Sequence, residues 1–395
     1  MAAAVMRGLE GKSGRYYAVL SAIGVFIALG LAACLYMETN GHIVTGMDNQ
    51  IVWGVPHVVA VFLIVAASGA LNVASIASVF GRAVYKPLAP LSALLAVALL
   101  AGGLAVLVLD LGRPERIIVA MTHFNWSSIF AWNIFLYMGF FAIVGVYLWF
   151  MLERRMTHHA AKVGLAAFIW RLTLTTGTGS IFGFLVAREA YDSALLAPMF
   201  IVFSFAYGTA IFMLTLAAAC RWDERSLPVE LTQRLNRLLA IFVAASLYFV
   251  ALFHLTKLYV ARFHDIERFS LLDGGVYTAL FWLGQVVLGG IVPLAILYHP
   301  RLARSSGWSV LAASLVVVGG LAQMYVTIVG AQAYPLALFP GMQVTSSFFD
   351  GEIHAYAPSA PEILLSLGGI ALAAAIVLVA LRVLRLLPAR LNINA

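Results

Sequence analysis

The stretch 107–137, which reads LVLDLGRPERIIVAMTHFNWSSIFAWNIFLY, groups several chemically active side chains. An apolar run ends there at Asp110, and Gly112 and Pro114 favour a tight reversal of the chain. Guanidinium groups flank the reversal, and among them Arg113 could hold Asp110 ionised or fix the loop. A carboxylate on the last turn of an apolar segment, beside arginines and aromatic rings, indicates a functional site that could transfer protons.

His57 follows Trp53 and Pro56 at the start of another apolar run and has chemistry that complements Asp110. A quinone headgroup needs two hydrogen-bonding groups at its carbonyls, an exit for two protons and apolar walls around its isoprenoid tail. A histidine can bond one carbonyl and take a proton, which a carboxylate near the aqueous surface relays outward. We therefore predict a quinone site whose catalytic residues are His57 and Asp110. The predicted quinone-binding residues are Trp53, His57, Asp110, Arg113, His123, Asn133 and Tyr137.

These residues also have simpler interpretations. A single histidine such as His57 is more often packed and hydrogen-bonded than bound to a redox substrate, and tryptophans such as Trp53 commonly form an interfacial belt. Arg171, two turns into an apolar segment, needs a carboxylate or carbonyl partner, and its role could be purely structural. Lys257 is interpreted as an ordinary interfacial charge on an extended stem.

The composition is that of an integral membrane protein. Of the 395 residues 63% are hydrophobic and 10% are charged, and the mean hydropathy is +0.97. No soluble domain of useful size remains, because the longest polar connection, 331–361, has only about thirty residues. The net charge of +7 is interpreted as orientation signals beside the spans, so nucleic acid is excluded as a partner. Cys34 and Cys220 are too few to form an iron–sulfur or zinc site.

Repeated apolar runs predict an all-α membrane fold of about ten helices running up and down, since lipid excludes exposed sheet edges. The predicted helices are 16–37, 54–80, 88–109, 127–151, 163–187, 195–220, 237–260, 275–298, 308–330 and 362–386. We expect one polytopic domain in which 54–187 forms a four-helix unit with the quinone site and 195–330 forms a second unit. The remaining helices, 16–37 and 362–386, are additions to these units. Small residues, for example around Gly69, predict close helix packing.

Basic residues are divided unequally between alternate loops. Seventeen of the 24 Lys and Arg residues lie in or beside the two termini and the loops 81–87, 152–162, 221–236 and 299–307, against six in the intervening loops. This bias predicts cytoplasmic termini and an outward-facing Asp110. The predicted location is the bacterial cytoplasmic (inner) membrane, with Asp110 near the periplasm.

Haem is not expected in this chain. A transmembrane b-type haem takes two histidines from facing helices, and only His57 and His254 lie clearly inside predicted spans. Both histidines are predicted near the outer membrane surface. Their number is compatible with one haem, but not with two haems at different depths of the membrane. The sequence also lacks a CxxCH motif, and no metal site is predicted.

Three segments carry a resemblance to a known family. They are LDLGRPER at 109–116, WGVPHVVAVFLIVAASGALNVASI at 53–76 and SIFAWNIFLYMGF at 128–140. The chain resembles the NrfD/PsrC membrane subunits of respiratory complexes from Trp53 onward. Within that family it is most similar to DsrP-type subunits of the DsrMKJOP complexes of sulfur-metabolising prokaryotes. Members with eight spans lack the two additional helices predicted here.

The resemblance implies a haem-free module that exchanges electrons between menaquinone or ubiquinone and a periplasmic iron–sulfur subunit with several clusters. It further implies a membrane cytochrome b, a cytochrome c and cytoplasmic iron–sulfur subunits as partners. It assigns the quinone site to His57, Asp110, Arg113 and Tyr137. It also implies a proton path in the second four-helix unit, whose polar members here are Arg171, Glu189, His254 and Gln285.

Two other functions are compatible with the sequence. Ten spans with scattered polar residues also suit a secondary transporter. Against a transporter, no matching pair of Gly/Pro-broken spans lies at mid-membrane, and the polar residues gather at one end. The third function is that of a passive anchor that only docks soluble subunits.

Overall fold

The structure is a computed structural model that describes residues 6–9, 13–153, 155–336 and 351–389. These residues form an all-α membrane fold, as predicted. Nine helices in the described ranges are long and apolar enough to cross a membrane. A further helix, Ala160–Gly183, contains Arg171 and several threonines and glycines, which lower its hydropathy. Its 24 residues extend for about 36 Å, which is sufficient to span a bilayer.

The long helices are labelled α1–α10 in chain order. Their bounds are α1 Ser13–Asn40, α2 Val55–Ser78, α3 Ala89–Leu109, α4 Ile129–Leu152, α5 Ala160–Gly183, α6 Leu196–Trp222, α7 Val229–Tyr259, α8 Val276–Tyr298, α9 Ser306–Ala333 and α10 Ala360–Val383. Three of them are irregular. A break at Leu71 interrupts α2, and π-helical turns occupy Leu280–Ile291 of α8 and Val326–Gly330 of α9.

Most helix boundaries agree with the predicted ones to within a few residues. The exception is α7, which begins at Val229 instead of 237. Its first turns are amphipathic: Leu231 and Leu235 are buried while Arg234 is exposed, a pattern that an apolar-run count overlooks. The predicted connection 331–361 is described only at its two ends, and 337–350 lie outside the described residues.

Helix contacts follow the chain order within two groups. Helices α2 to α5 pack on one another, as do α6 to α9, and α2 joins the groups by packing along α6. Helix α1 packs along α10, and α10 packs on α3 and α2. The division into two units with separate roles stays a prediction.

The contact between α2 and α6 depends on glycines. A Cβ on Gly208 of α6 would collide with the backbone of Gly69 in α2, and a Cβ on Gly69 would collide with the Ser204 carbonyl. Small residues at a membrane helix interface allow this backbone approach. The small-residue patch around Gly69 is therefore a packing surface.

The described segments nearest to the two termini, 6–9 and 387–389, lie at the same end of the bundle. Strand β1, Met6–Arg7, pairs antiparallel with strand β2, Leu387–Pro388. Arg225 in the α6–α7 connection donates to the Pro388 carbonyl at 2.8 Å. The two termini and this connection thus share one end, as alternating helices require, and its placement in the cytoplasm stays a prediction.

Candidate functional site

His57 and Asp110 are brought together at the end of the bundle opposite to the termini. His57 lies in the first turn of α2, which begins after Gly54 with Pro56 near its start. Asp110 is the residue that ends α3. His57 Nδ1 lies 3.0 Å from Asp110 Oδ2, with the imidazole 18% exposed and the carboxylate side chain 0% exposed.

The two groups are close but lack the alignment of a hydrogen bond. Among the described residues, His57 Nδ1 and both Asp110 carboxylate oxygens have no hydrogen-bond partner. Buried polar atoms without partners are uncommon and often mark sites that bind ligands or transfer protons. The pair therefore retains the capacity to accept a proton from a bound hydroxyl group.

The turn after Asp110 follows the predicted chain reversal. Gly112 adopts a φ of +70°, which favours glycine, and Pro114 begins a 3₁₀ turn. A Cβ on Gly112 would lie 2.9 Å from His42 Nε2, so the imidazole of His42 covers this turn. Arg113 is exposed and makes no ion pair with Asp110, so its suggested role of holding that carboxylate ionised is not seen in this geometry.

Aromatic rings line one side of the pair. The Trp53 ring stacks on His57 with centroids 6.2 Å apart and an interplanar angle of 29°. Phe130, Phe182 and Tyr191 contact the same indole at 6.2, 5.7 and 6.4 Å. Trp53 thus lies directly beside the pair, and its role as a wall of a quinone site stays a prediction.

The remaining predicted quinone-site residues lie on α4 or just before it. Asn133 is buried, and its Nδ2 donates to the Ile129 and Gly177 carbonyls at 2.9 and 3.1 Å. Its Oδ1 has no partner among the described residues. Tyr137, one turn further along α4, is also buried. His123 is exposed, with Nδ1 3.0 Å from Thr122 Oγ1.

Gln332 holds the segment that carries Trp53, a role the sequence did not indicate. Its Oε1 accepts the Val52 and Trp53 N–H groups at 3.0 and 3.1 Å. Its Nε2 donates to the carbonyls of Trp53 and Ile328 at 3.0 and 2.8 Å. The Ile328 carbonyl lies in the π-helical turn of α9, so this irregular turn is tied directly to the Trp53 segment.

Tyr356 and Glu362 hold the first turn of α2 and were also missed. The Val55 N–H donates to the Tyr356 hydroxyl at 2.8 Å, and that hydroxyl donates to Glu362 Oε1 at 2.5 Å. A sequence signal for Glu362 does exist, because Ser359 and Glu362 have the spacing of a helix capping box, which the structure forms at the start of α10.

Asp48 anchors the same loop and gives a pH prediction. Its Oδ1 accepts the Gln50 and Ile51 N–H groups at 2.8 and 2.6 Å, and its Oδ2 lies 2.7 Å from His354 Nδ1. Burial raises the pKa of Asp48, but these donors outweigh burial and hold the pKa below its ordinary 3.8. A carboxyl with a lowered folded-state pKa stabilises the fold above its unfolded pKa, and this stabilisation is lost as pH falls through the folded pKa.

We therefore expect Asp48→Asn to lower the Tm at about pH 6, and the difference from wild type to shrink as pH falls to about 3. Thermal unfolding of the full-length chain in detergent at several pH values measures this. A Tm difference that stays constant down to about pH 3 would contradict the role of the carboxylate.

A second histidine–carboxylate pair lies among helices α6–α9. His254 Nδ1 is 2.7 Å from the buried Glu267 Oε2, and both side chains line a cavity with Gln323 and Thr327. Gln285 and Gln323 line a neighbouring cavity. Neither side-chain amide atom of Gln285 has a hydrogen-bond partner among the described residues. Glu267 was not predicted, because an acid in a connecting loop gives no sign of burial.

Arg171 of α5 directs its side chain toward α2, and its guanidinium also lies over the Phe205 ring of α6, 5.2 Å from the centroid. Its Nη1 donates to the Ser68 carbonyl at 2.9 Å and to Asn72 Oδ1 at 2.7 Å, on either side of the break at Leu71. No carboxylate pairs with it among the described residues. These contacts match the structural role that the sequence left open.

The interpretation of Lys257 needs correction. Helix α5 ends at Gly183, and Glu189 lies in the connection that follows it. Lys257 is only 2% exposed, and its Nζ donates to the carbonyls of Glu189 and Ala190. It is a buried, hydrogen-bonded ammonium and not an interfacial charge, because a buried cation requires such acceptors.

The described residues contain no group of three or more His, Cys, Asp or Glu side chains placed to hold a metal ion. The two histidines inside spans, His57 and His254, each face a carboxylate. Each of these two histidines thus belongs to a separate histidine–carboxylate pair.

Comparison with protein families matches residues 43–336 to the family described as polysulphide reductase, NrfD. The match covers about three quarters of the chain. The chain belongs to the NrfD family. In this NrfD chain, His57, Asp110 and helices α2–α9 lie within the matched residues, whereas α1 and α10 lie outside them. The resemblance predicted from the three motifs is confirmed.

Curated relatives extend the similarity to the full chain. The Hdr-like menaquinol oxidoreductase integral membrane subunit of Archaeoglobus fulgidus is 30% identical over 385 residues, which is 97% of this chain and 96% of its own. A putative dimethyl sulfoxide reductase membrane subunit of Halobacterium salinarum is 27% identical over 407 residues, or 95% and 92% of the two chains. Protein NrfD of Escherichia coli is 25% identical over 288 residues, or 66% and 87%. This NrfD chain is thus a multi-pass membrane protein with relatives named as oxidoreductase subunits.

Proposed function

We propose that the chain is a haem-free quinone/quinol-interacting subunit of a respiratory electron-transfer complex. It exchanges electrons between the menaquinone or ubiquinone pool and a periplasmic iron–sulfur subunit with several clusters. The chain holds no redox metal of its own and lies in the bacterial cytoplasmic membrane with both termini in the cytoplasm. The name of the Archaeoglobus relative, a menaquinol oxidoreductase subunit, supports the quinone interaction.

The observation that carries this proposal is the His57–Asp110 pair beside the Trp53 ring, in which the carboxylate is buried and no aligned hydrogen bond joins the two groups. Oxidation of a quinol to a quinone releases two electrons and two protons. The two electrons leave to the partner's nearest cluster. His57 takes the two hydroxyl protons in succession, and Asp110 relays each of them to the adjacent surface. In the direction of quinone reduction, the same groups supply protons.

The other predicted residues receive roles according to their positions. Trp53 walls the ring of the quinone, and Tyr137 lines the α4 side. Asn133 Oδ1, which is buried and has no partner among the residues that the structure describes, accepts a hydrogen bond from the second hydroxyl. His123 and Arg113, both exposed, lie at the aqueous surface where protons leave.

The second group of helices supplies the proposed proton path. His254 with Glu267, then Gln323 and Gln285, line two adjacent cavities, and unsatisfied amides in such cavities favour bound water. Of the predicted members, His254 and Gln285 lie on this route. Arg171 and Glu189 were predicted with them, but neither residue lines these two cavities. Arg171 donates to α2, and the Glu189 carbonyl accepts from Lys257.

We further assign the chain to a respiratory complex linked to sulfur metabolism. The support for this assignment is the resemblance of segments 53–76, 109–116 and 128–140 to DsrP-type subunits. The further partners would be a membrane cytochrome b, a cytochrome c and cytoplasmic iron–sulfur subunits. The extra helices α1 and α10, outside the family match, are shared with the Archaeoglobus relative, whose similarity covers 97% of this chain.

Quinol binding tests the proposal. We expect the full-length chain in detergent to quench a fluorescent quinol analogue saturably, and His57→Ala to bind at least about tenfold more weakly, because one charge-assisted hydrogen bond is lost. His158→Ala is the matched control, since His158 is exposed in the α4–α5 connection at the other end of the bundle.

Three outcomes separate the candidate functions. Saturable binding lost in His57→Ala and kept in His158→Ala supports the proposal. Equal affinity in wild type and His57→Ala would remove His57 from the site. A wild-type chain without saturable binding would overturn the quinone function and favour the transporter or the passive anchor.

A further inference from the structure

Helix α10 contacts the candidate site although it lies outside the family match, which ends at 336. Its lead-in residue Tyr356 and its first-turn residue Glu362 form a hydrogen-bonded chain to α2. The chain runs from Glu362 Oε1 through the Tyr356 hydroxyl to the Val55 N–H, two residues before His57. The first N–H groups of a helix have no partner within the helix, so an external acceptor fixes where that helix begins.

The Glu362 carboxylate is well suited to hold several backbone segments. It is fully buried at 0% exposure, and it accepts the Gly46 and Ser359 N–H groups at 2.8 Å each, as well as the Tyr356 hydroxyl. Three donors compensate the cost of burying a carboxylate. One side chain of α10 thereby joins the loop before α2, the start of α10 and, through Tyr356, the start of α2.

The start of α2 is tightly packed against Tyr356 and Glu362. A Cβ on Gly54, the residue before α2, would collide with both Glu362 Oε1 and the Tyr356 hydroxyl. Burial, together with the adjacent Glu362 carboxylate, raises the pKa of Tyr356 above its ordinary range, so the hydroxyl keeps its proton and donates. The direction of each hydrogen bond in the chain is therefore fixed.

The other additional helix, α1, acts on the Asp110 side of the pair. The Cys34 Sγ of α1 donates to the Leu109 carbonyl at 3.4 Å, in the last turn of α3. His42, just after α1, covers the Gly112 turn. Because α1 packs along α10, the two helices outside the family match contact both segments that carry the pair.

We infer that Tyr356 and Glu362 are positioning residues for the His57–Asp110 pair, and that the α1–α10 pair of helices belongs to the site. The biological meaning of this inference rests on the proposed function, but the position of His57 relative to Asp110 can be tested without a quinone. Neither residue touches the reacting groups directly. They act by fixing the first turn of α2 and hence the separation of His57 from Asp110.

The test uses Tyr356→Phe in the full-length chain in detergent, since this change keeps the ring and removes only the hydroxyl. Two readouts are measured: amide exchange at Val55, and the titration midpoint of His57 by NMR of labelled histidine, with His57→Ala identifying its signal. We expect exchange at Val55 to accelerate at least about tenfold and the midpoint to move, because Val55 loses one hydrogen bond and His57 shifts against Asp110. Tyr298→Phe, an exposed tyrosine at the other end of the bundle, is the control.

Glu362→Gln guards against a folding defect. The glutamine keeps an acceptor oxygen for the Tyr356 hydroxyl but places an amide NH₂ against two N–H donors. We therefore expect the same changes in Val55 exchange and in the His57 midpoint, but smaller ones. Ser366→Ala in α10 is the control and should leave both readouts as in wild type. Faster amide exchange at Val55 with an unchanged titration midpoint of His57 would overturn the positioning role. The role would also be overturned if neither the exchange at Val55 nor the His57 midpoint changed. A wild type that binds no quinol analogue would overturn the proposed function and leave this test intact.

Discussion

Asp110→Asn is expected to lower the turnover of quinol by about 100-fold or more while changing quinol affinity by less than about threefold. The amide keeps the size of the side chain and an oxygen beside His57 Nδ1, so binding geometry is largely retained. It cannot accept and release a proton, however, and positioned acid–base groups contribute about 10²–10⁴-fold to rate. Asp110 is the buried member of the pair, with its carboxylate side chain 0% exposed, so the proposal assigns the relay to this group and not to a surface carboxylate.

Turnover should be measured in the intact complex across the pH range in which wild type is active, beside affinity for the quinol analogue. Glu115→Gln is the matched control, because Glu115 is an exposed carboxylate five residues further along the same loop. Equal turnover in wild type and Asp110→Asn at every pH would exclude the proton relay. An affinity loss as large as the turnover loss would make Asp110 a binding residue only.

Gly208→Val is expected to prevent stable folding, with a loss of about 3 kcal/mol or more in the free energy of unfolding. The added side chain would meet the backbone of Gly69, which cannot move aside as a flexible side chain can. Because the α2–α6 contact is the most extensive one between the two groups of helices, a displacement here disturbs their junction and also moves the helix that carries His57.

Gly145→Val is the control for that substitution, since a Cβ on the exposed Gly145 of α4 meets nothing within 4 Å. Thermal unfolding and size-exclusion profiles of both variants in detergent are compared. A Gly208→Val protein with the Tm and the elution volume of wild type would contradict the close helix contact.

The sequence predicts the helices and the pair because both depend on short-range signals. Apolar runs predict the number of spans and the alternating direction of successive helices. This alternation places the start of α2 and the end of α3 on the same side of the membrane, where His57 and Asp110 meet. The exposed Arg113 shows the limit of this reasoning. Its nearness to Asp110 in sequence suggested an ion pair, but the Gly112 turn and the 3₁₀ turn at Pro114 carry the chain away.

Residues that support the site could not be predicted in the same way. Gln332, Tyr356 and Glu362 contact the site from positions roughly 280–310 residues further along the chain, and no local pattern specifies which loop carbonyl or N–H they meet. Glu267 is similar, since a glutamate in a loop with arginines is expected to be solvated. Tertiary packing alone buries these polar groups and supplies their partners.

The hydrogen bond from Val55 to Tyr356 also has a consequence for biogenesis. It joins residues 301 positions apart, and strands β1 and β2 are separated even further along the chain. At a synthesis rate of about 5–20 residues per second, α2 enters the membrane about 15–60 s before Tyr356 exists. The His57 end of the protein is therefore completed only after the last helix has emerged from the ribosome, and truncated or stalled chains lack a finished site.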